Sequence, residues 1–370
     1  MTPRERIMAA LLLEESDTVP VSPVFYKALN FLPQDFYETL TRISDGVYRV
    51  GVPTNGIFYS DSKKAKVTTR NAVFPDHVIY ESILETPKGP LVSKQIATKT
   101  LLDPMCIKGY IENEEDVEKF LSIPYEACHP DPKAFLDEVK ILGDMGVVMC
   151  DFADAICILG ELFKLDKFYQ WIHRKPDLIR DLLDALHIRI MDYVESLLKS
   201  GVGPFQITGP EYVCTTFVAP RFFDSLVVAY DQQLIKLIHE YGQLVIIHCH
   251  GKVNALLEKF AEMGTDGLHP LESSSETWSS GDIDLVDAKR RVGHKFCFLG
   301  NIQTGDLEMG SKELVEQRCR ETIEQAGVDG GLILEYTGIP KSKSIETRFC
   351  ENLLNMIKAG RKWGKYPQKP

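Results

Sequence analysis

Two histidines separated by one residue are the sharpest chemical feature of the sequence. His248 and His250 flank Cys249 at the end of an apolar run over residues 244–248, and Gly251 follows. Because side chains alternate along a strand, both imidazoles should point to one face and the thiol to the other. Two imidazoles on one face can hold a divalent metal ion, and a glycine permits a tight turn. One packed core histidine and one loop histidine is the alternative, which the strand-end position disfavours.

Carboxylates follow other apolar runs in the same way. A catalytic zinc site usually takes three protein ligands, so two histidines need a partner. Glu211, Glu272 and Glu335 each stand at the end of a strand-like run, and Asp151 is a weaker candidate of the same kind. Any one of them could instead cap a helix or pair with a cation. Together, they predict an acidic group around the histidines.

Amide and aromatic side chains supply further candidates for the site. Asn301 ends another apolar run and offers amide hydrogen bonds for positioning, although a plain loop role is equally open. Tyr212 and Tyr336, which follow Glu211 and Glu335, are predicted to line a substrate pocket together with Asp151. Packing is the alternative role for both aromatic rings.

Regular alternation of strands and helices should position these residues. Strand-like runs recur over residues 147–152, 204–208, 244–248, 266–271, 295–299 and 331–335, with helical segments between them. That order is typical of parallel strands joined by crossover helices. Because no GxGxxG or GxxxxGKS motif follows a strand, a nucleotide-binding fold is not supported. We predict an α/β fold, a (β/α)8 TIM barrel, with its site at the carboxyl ends of the strands.

The N-terminal part has a different pattern. A helical extension is predicted first, then a proline-punctuated strand, and then β-rich pieces around the turn at residues 87–90, which indicate an inserted antiparallel β-hairpin. We expect one domain over residues 1–370, with residues 1–145 as this N-terminal part and residues 146–360 as regular β/α repeats.

Composition excludes several classes of function. Of 370 residues, 44% are hydrophobic and 26% are charged, which excludes a mostly disordered or fibrous chain. The formal net charge of −11 makes nucleic acid and anionic membranes poor partners. No apolar run approaches the roughly 18 residues of a membrane helix. Nine cysteines without a CxxC pair favour free thiols in a reducing cytoplasm, and the charged N-terminus does not predict a cleavable signal.

Residues 146–358 resemble the uroporphyrinogen decarboxylase superfamily, which includes the cobalamin-dependent methyltransferases. The resemblance lies in the segments 247–251 with 262–266, 299–307, 330–340 and 351–352, and residues 17–21 are similar too. It implies a TIM-barrel enzyme. Because relatives include dimers, it also implies that a homodimer should be considered.

Departures from the superfamily motifs separate its branches. Decarboxylase members carry an arginine-bearing motif at the first strand, whereas residues 20–30 hold no arginine. Thiol-alkylating methyltransferases hold zinc through a His-x-Cys-Gly motif and a late cysteine. His250 and Thr337 stand at those two cysteine positions. Glu335, on the same strand face as Thr337, is therefore predicted to replace the lost ligand.

A His248, His250 and Glu335 set would leave Zn²⁺ a stronger Lewis acid, suited to an oxygen leaving group. The resemblance then implies a corrinoid-dependent methyltransferase that demethylates a small methyl ether, such as a methoxylated aromatic. Zinc, or a proton from a glutamic acid, would assist the leaving oxygen, and Co(I) would take the methyl group. Glu211 or Glu272 would either complete the metal shell or serve as the proton donor. Because the chain has no Asp-x-His-x-x-Gly motif, the corrinoid is expected on a separate carrier protein.

Three alternatives remain open at this point. The first is the reverse reaction, from a methylated corrinoid to a thiol or folate. The second is a uroporphyrinogen decarboxylase, which the missing arginine disfavours. The third is a non-catalytic barrel that senses a ligand.

Overall fold

The computed structural model describes residues 1–26, 32–54, 57–101, 103–274, 281–340, 342 and 345–366. Its strands are β1 (Val24–Tyr26), β2 (Gly46–Val50), β3 (Lys66–Val73), β4 (His77–Glu85), β5 (Leu91–Thr98), β6 (Met105–Lys108), β7 (Gly146–Ala153), β8 (Phe205–Thr208), β9 (Val245–His248), β10 (Gly267–His269), β11 (Cys297–Ile302) and β12 (Leu332–Tyr336).

Its helices are α1 (Pro3–Leu11), α2 (Gln34–Ile43), α3 (Glu114–Leu121), α4 (Lys133–Leu142), α5 (Ala155–Leu162), α6 (Leu165–Arg174), α7 (Pro176–Lys199), α8 (Arg221–Phe223), α9 (Ala229–Glu240), α10 (Leu257–Met263), α11 (Leu285–Val292), α12 (Thr304–Met309), α13 (Lys312–Ala326) and α14 (Thr347–Trp363). Within the described part of the chain, none of these helices is both long and apolar enough to cross a membrane.

Eight parallel strands form the barrel, in the order β1, β2, β7, β8, β9, β10, β11, β12. The ring closes where β12 pairs with the chain just before β1. There the amide of Leu334 donates to the carbonyl of Pro20, and the amide of Ser22 donates to the carbonyl of Leu334, both at 2.9 Å. The predicted (β/α)8 barrel is therefore confirmed.

The N-terminal part contributes more to the barrel than the sequence indicated. The six strands predicted after residue 146 are all present as β7 to β12, but the first two barrel strands, β1 and β2, lie before it. The predicted hairpin is larger than expected, because β3 to β6 form a four-stranded antiparallel sheet. The turn at residues 87–90 joins β4 to β5, as its sequence predicts.

Inward side chains change from apolar to polar along the barrel axis. An apolar layer, closed from below by α1, includes Val47, Val147, Met149, Ile246 and Ile333. Two residues beyond Val47, Met149, Ile246 and Ile333, the inward positions hold Arg49, Asp151, His248 and Glu335. Because residues i and i+2 share a face of a strand, the barrel carries a polar layer directly above its apolar floor.

Candidate active site

The two histidines of the His-x-His motif lie side by side at the carboxyl end of β9. Their ring centroids are 4.6 Å apart and the rings are nearly perpendicular, at 86°. The chain turns after them at Gly251, whose φ of 92° favours glycine, and a Cβ there would lie 2.8 Å from Cys214 Sγ. The two rings lie together as predicted, although β9 ends at His248 and His250 belongs to the turn that follows.

Glu272 joins this pair from the loop after β10. Its Oε1 lies 3.3 Å from Nδ1 of His250, and its Oε2 accepts a 2.8 Å hydrogen bond from the amide of Gly251. Glu272 is buried, whereas 39% of the His250 side chain is exposed. The carboxylate therefore fixes a half-exposed imidazole at the barrel mouth.

Glu211 lies on the single turn Pro210–Val213 that follows β8. Its Oε2 is buried and has no hydrogen-bond partner among the described residues. Burial raises the pKa of Glu211, and the charge of a protonated His250 opposes this rise. The site thus holds a carboxyl group that tends to keep its proton, with one oxygen not engaged by the protein.

His269, on β10, is the site residue that sequence reasoning underrated. It pairs in register with His248, and the two Nδ1 atoms are 2.7 Å apart. Strict strand alternation would place His269 and Glu272 on opposite faces, but β10 ends at His269, so the alternation does not extend to Glu272. The signal available in the sequence was a histidine at the end of a neighbouring strand.

Glu335 is not free to act as a third metal ligand. Its two carboxylate oxygens accept hydrogen bonds from the Arg49 guanidinium, each at 2.8 Å, and His269 lies between Glu335 and His248. Burial raises the pKa of Glu335, and Arg49 opposes this rise. Within the described part of the chain, no three His, Cys, Asp or Glu side chains are placed to hold one metal ion. The predicted zinc set of His248, His250 and Glu335 does not fit this arrangement.

Asp151 belongs to the polar layer beside that ion pair. Its Oδ1 accepts hydrogen bonds from Gln206 at 3.0 Å and from Thr208 at 2.8 Å, and Gln206 in turn accepts from Nε of Arg49 at 2.8 Å. Burial raises the pKa of Asp151. Neither Arg49 nor Gln206 was singled out from the sequence, because a polar residue within a short strand resembles a solvent-facing one.

Asn301 does not join the histidines. Its amide nitrogen donates to the carbonyl of Leu271 and to Ser273, and its amide oxygen accepts from Thr322 on α13. The preceding Gly300 has a φ of 151°, and a Cβ there would lie 2.1 Å from the carbonyl oxygen of Pro270. This geometry gives Asn301 a structural role in place of the predicted catalytic one.

Both predicted pocket tyrosines pack away from the histidines. The Tyr212 ring lies against Gly160 and meets Phe168 edge-on at 6.3 Å, so it packs towards α5 and α6. The Tyr336 ring meets Phe349 on α14 at 5.9 Å, and its side chain is fully buried. Of the predicted substrate-pocket residues, only Asp151 lies in the barrel interior.

Residues 104–346 match the family "Uroporphyrinogen decarboxylase (URO-D)". The chain belongs to the URO-D family. Among curated relatives, the uroporphyrinogen decarboxylase of Trichodesmium erythraeum is 26% identical over 290 residues, which cover 73% of this chain and 75% of that protein. That of Synechocystis is 24% identical over 272 residues and covers 69% of this chain and 71% of that protein.

One solved structure has a similar architecture over nearly the whole chain. It is a methyltransferase from Methanosarcina mazei, with a TM-score of 0.61 and 16% sequence identity, covering 98% of this chain and 99% of that one. At this identity the match shows the fold. From the family match, the chain is an enzyme of the URO-D superfamily.

Proposed function

We propose that this URO-D family enzyme is the substrate-activating methyltransferase of a corrinoid-dependent demethylation system. It would take the methyl group of a small methyl ether, such as a methoxylated aromatic. The reduced corrinoid of a separate carrier protein would supply the nucleophile and accept the methyl group. The chain's own residues would bind the ether, orient it and deliver a proton to the oxygen that leaves.

The observation that carries this proposal is the carboxyl group of Glu211. It lies at the carboxyl end of the barrel, where barrel enzymes keep their working groups, and burial raises its pKa, which favours the protonated form. One of its oxygens is buried without a partner among the described residues. A neutral carboxyl in such a place suits a general acid.

The proposed step balances without any oxidant. As the methyl carbon is attacked, the C–O bond breaks and its electron pair stays on oxygen. That oxygen takes the Glu211 proton and leaves as an alcohol or phenol. His250, which is half-exposed and held by Glu272, acts electrostatically on Glu211 and would return a proton from solvent to its carboxylate.

Zinc assistance is the weaker of the two routes that the sequence suggested. Because Arg49 binds both oxygens of Glu335, that carboxylate is not available as the third zinc ligand. Assistance to the leaving group therefore falls to the carboxyl group of Glu211. Metal analysis of the purified protein checks this assignment. Stoichiometric zinc that is lost in His250→Ala but kept in His239→Gln, an exposed histidine on α9, would restore the zinc route.

Porphyrinogen decarboxylation is the second candidate, because the curated relatives carry that name. A polycarboxylate substrate needs cationic side chains. Arg49 is the arginine of the barrel's polar layer, and its charge is already balanced by Glu335. This observation favours the methyltransferase over the decarboxylase.

The deciding experiment mixes the protein with a Co(I) carrier protein and a panel of methoxylated aromatics. We expect the Co(I) absorbance to disappear with at least one ether and not with its demethylated phenol. The same preparation is given uroporphyrinogen, with carbon dioxide release as the readout. Decarboxylation without any methyl transfer would reverse the order of the two candidates.

A further inference from the structure

A buried chain of side chains runs from the centre of the barrel to the histidine pair. Arg49 holds Glu335, whose Oε2 lies 3.5 Å from Nε2 of His269. The same Nε2 lies 3.2 Å from the carbonyl oxygen of Tyr336. On the other side of the ring, Nδ1 of His269 lies 2.7 Å from Nδ1 of His248.

These contacts determine where the protons are. A carbonyl oxygen can only accept, so Nε2 of His269 must carry a hydrogen and donate to Tyr336. Two nitrogens at 2.7 Å must share a single hydrogen, because two lone pairs or two N–H groups at this distance would repel each other. Because a neutral imidazole has one N–H, and that of His269 is already on Nε2, the shared hydrogen belongs to Nδ1 of His248.

Both imidazoles are held in the neutral form by their surroundings. His269 is fully buried and His248 nearly so. Burial lowers the pKa of each ring, and the positive charge of Arg49 acts in the same direction. The charge of Glu335 does not reverse this, because its ion pair with Arg49 already balances it.

We propose that His269, backed by Glu335 and Arg49, is a positioning residue that holds His248 as the Nδ1–H tautomer. The Nε2 atom of His248 then carries a lone pair and acts only as an acceptor. In the reaction proposed above, on which this kinetic role rests, that lone pair accepts a hydrogen bond from the hydroxyl group of the released alcohol or phenol. The two rings on β9 and β10 thus act as one unit, in which only His248 meets the ligand.

Nitrogen NMR of the full-length protein labelled with ¹⁵N-histidine tests the tautomer directly. The His248 signals are assigned by their loss in His248→Gln. We expect His248 to carry hydrogen on Nδ1 and not on Nε2, and His269 to show the opposite pattern. A hydrogen on Nε2 of His248, in a neutral or a doubly protonated ring, would overturn the proposal. This measurement needs neither a substrate nor a folded variant of His269.

Variants of His269 then test its role in turnover. Glutamine offers an amide oxygen that can accept from Nδ1 of His248, whereas leucine of similar size cannot. We expect His269→Leu to lose the single tautomer and to lower kcat about 10–100-fold with little change in KM, and His269→Gln to recover most of both. His239→Gln is the matched control, since His239 pairs with Asp266 on the outer face.

The outcomes separate this inference from the proposed function. If the wild type transfers no methyl group, the proposed function fails while the NMR spectrum still decides the tautomer. If methyl transfer occurs but His269→Leu and His269→Gln have equal kcat, the positioning role is wrong.

Discussion

Arg49 is the residue on which the polar layer of the barrel depends. It is only 2% exposed and binds Glu335 through two nitrogens and Gln206 through the third. A buried carboxylate is stable only when its charge and lone pairs are satisfied. The ion pair therefore favours the ionised form of Glu335, and Glu335 in turn contacts His269.

Replacing Arg49 should destabilise the fold strongly. Arg49→Met leaves Glu335 buried without a counter-charge, and we expect a loss of about 3–5 kcal/mol in the free energy of unfolding. Urea denaturation measures this loss in the free energy of unfolding. Glu335→Gln added to Arg49→Met should recover part of the loss. As a control, Arg180→Met removes an exposed pair with Asp177 and should change stability by less than about 1 kcal/mol. A similarly small effect at Arg49 would contradict this account.

Glu211→Gln should remove the acid while keeping the shape of the site. We expect kcat for methyl transfer to fall by about 10²–10⁴-fold. In the wild type, the rate should decline as the pH rises through the raised pKa of Glu211, because only the protonated form donates. Steady-state rates across the pH range check both statements. An unchanged rate, or a decline that persists in the variant, would show that another group is the acid.

The buried carboxyl group of Glu211 also makes the stability of the fold depend on pH. Because burial raises its pKa in the folded state, the unfolded state releases this proton more readily, and stability is lost as the pH rises. Glu211→Gln should therefore be more stable than the wild type at alkaline pH and similar to it at acid pH, where both side chains are neutral. Thermal unfolding at the two extremes measures the difference. A variant that is less stable at alkaline pH would refute this.

At the level of elements, the seam between the first and last strands holds the barrel closed. Asp45, fully buried, accepts a 3.0 Å hydrogen bond from the amide of Val21 in that seam. Its carboxylate also lies 3.1 Å from the guanidinium of Arg6 on α1 and 2.7 Å from that of Arg361 on α14. One side chain thus ties both terminal helices to the point of closure.

Asp45→Ala should weaken this seam. The change removes the acceptor of the Val21 amide and of one nitrogen in each of the Arg6 and Arg361 guanidinium groups, and we expect a loss of about 2–3 kcal/mol. Asp17→Ala is the control, because Asp17 binds the same Arg6 at a more exposed position and should contribute less than about 1 kcal/mol. Denaturation of both variants with guanidinium chloride measures the two losses in the free energy of unfolding. Equal losses would mean that the seam is held by its backbone bonds alone.

The elements could be predicted from the sequence wherever the hydrophobic pattern was simple. Strands β7 to β12 are apolar runs separated by helices, and all six were predicted. Strand β2 was missed because its inward Arg49 makes a barrel strand resemble a surface one. The four-stranded insert was read only as a hairpin because its outer strand β3 is exposed along its whole length and carries no inside-outside pattern.

The site was predictable only as far as strand alternation holds. His248 and His250 meet because they share a strand end, and Glu272 joins them from the neighbouring one. Alternation fails at Gly300, which turns Asn301 outward, and after His269, where β10 ends. The engagement of Glu335 by Arg49 depends on two strands far apart in the sequence, which no local pattern reveals.

At the level of the whole molecule, the thiols are packing groups. All nine cysteines are free, and all but Cys106 and Cys350 are buried. Burial raises the pKa of these two thiols as well, which slows their reaction. The fold is therefore not stabilised by disulfides and should tolerate reducing conditions.

The number of cysteines that react with a thiol reagent should show how many of them are buried. The native protein is expected to react at no more than the two partly exposed cysteines, and slowly, whereas the unfolded protein should react at all nine. The unfolding midpoint should be the same with and without a reductant. Fewer than nine reactive thiols after unfolding would reveal a disulfide.

The seam at Pro20, Ser22 and Leu334 also has a consequence for biosynthesis. The strand that completes the ring leaves the ribosome more than 300 residues after the segment with which it pairs. Until then, the nascent chain can form at most an open sheet with two unpaired edges, and such edges invite aggregation. A product that stalls before β12 should therefore depend on chaperones far more than its full-length counterpart does.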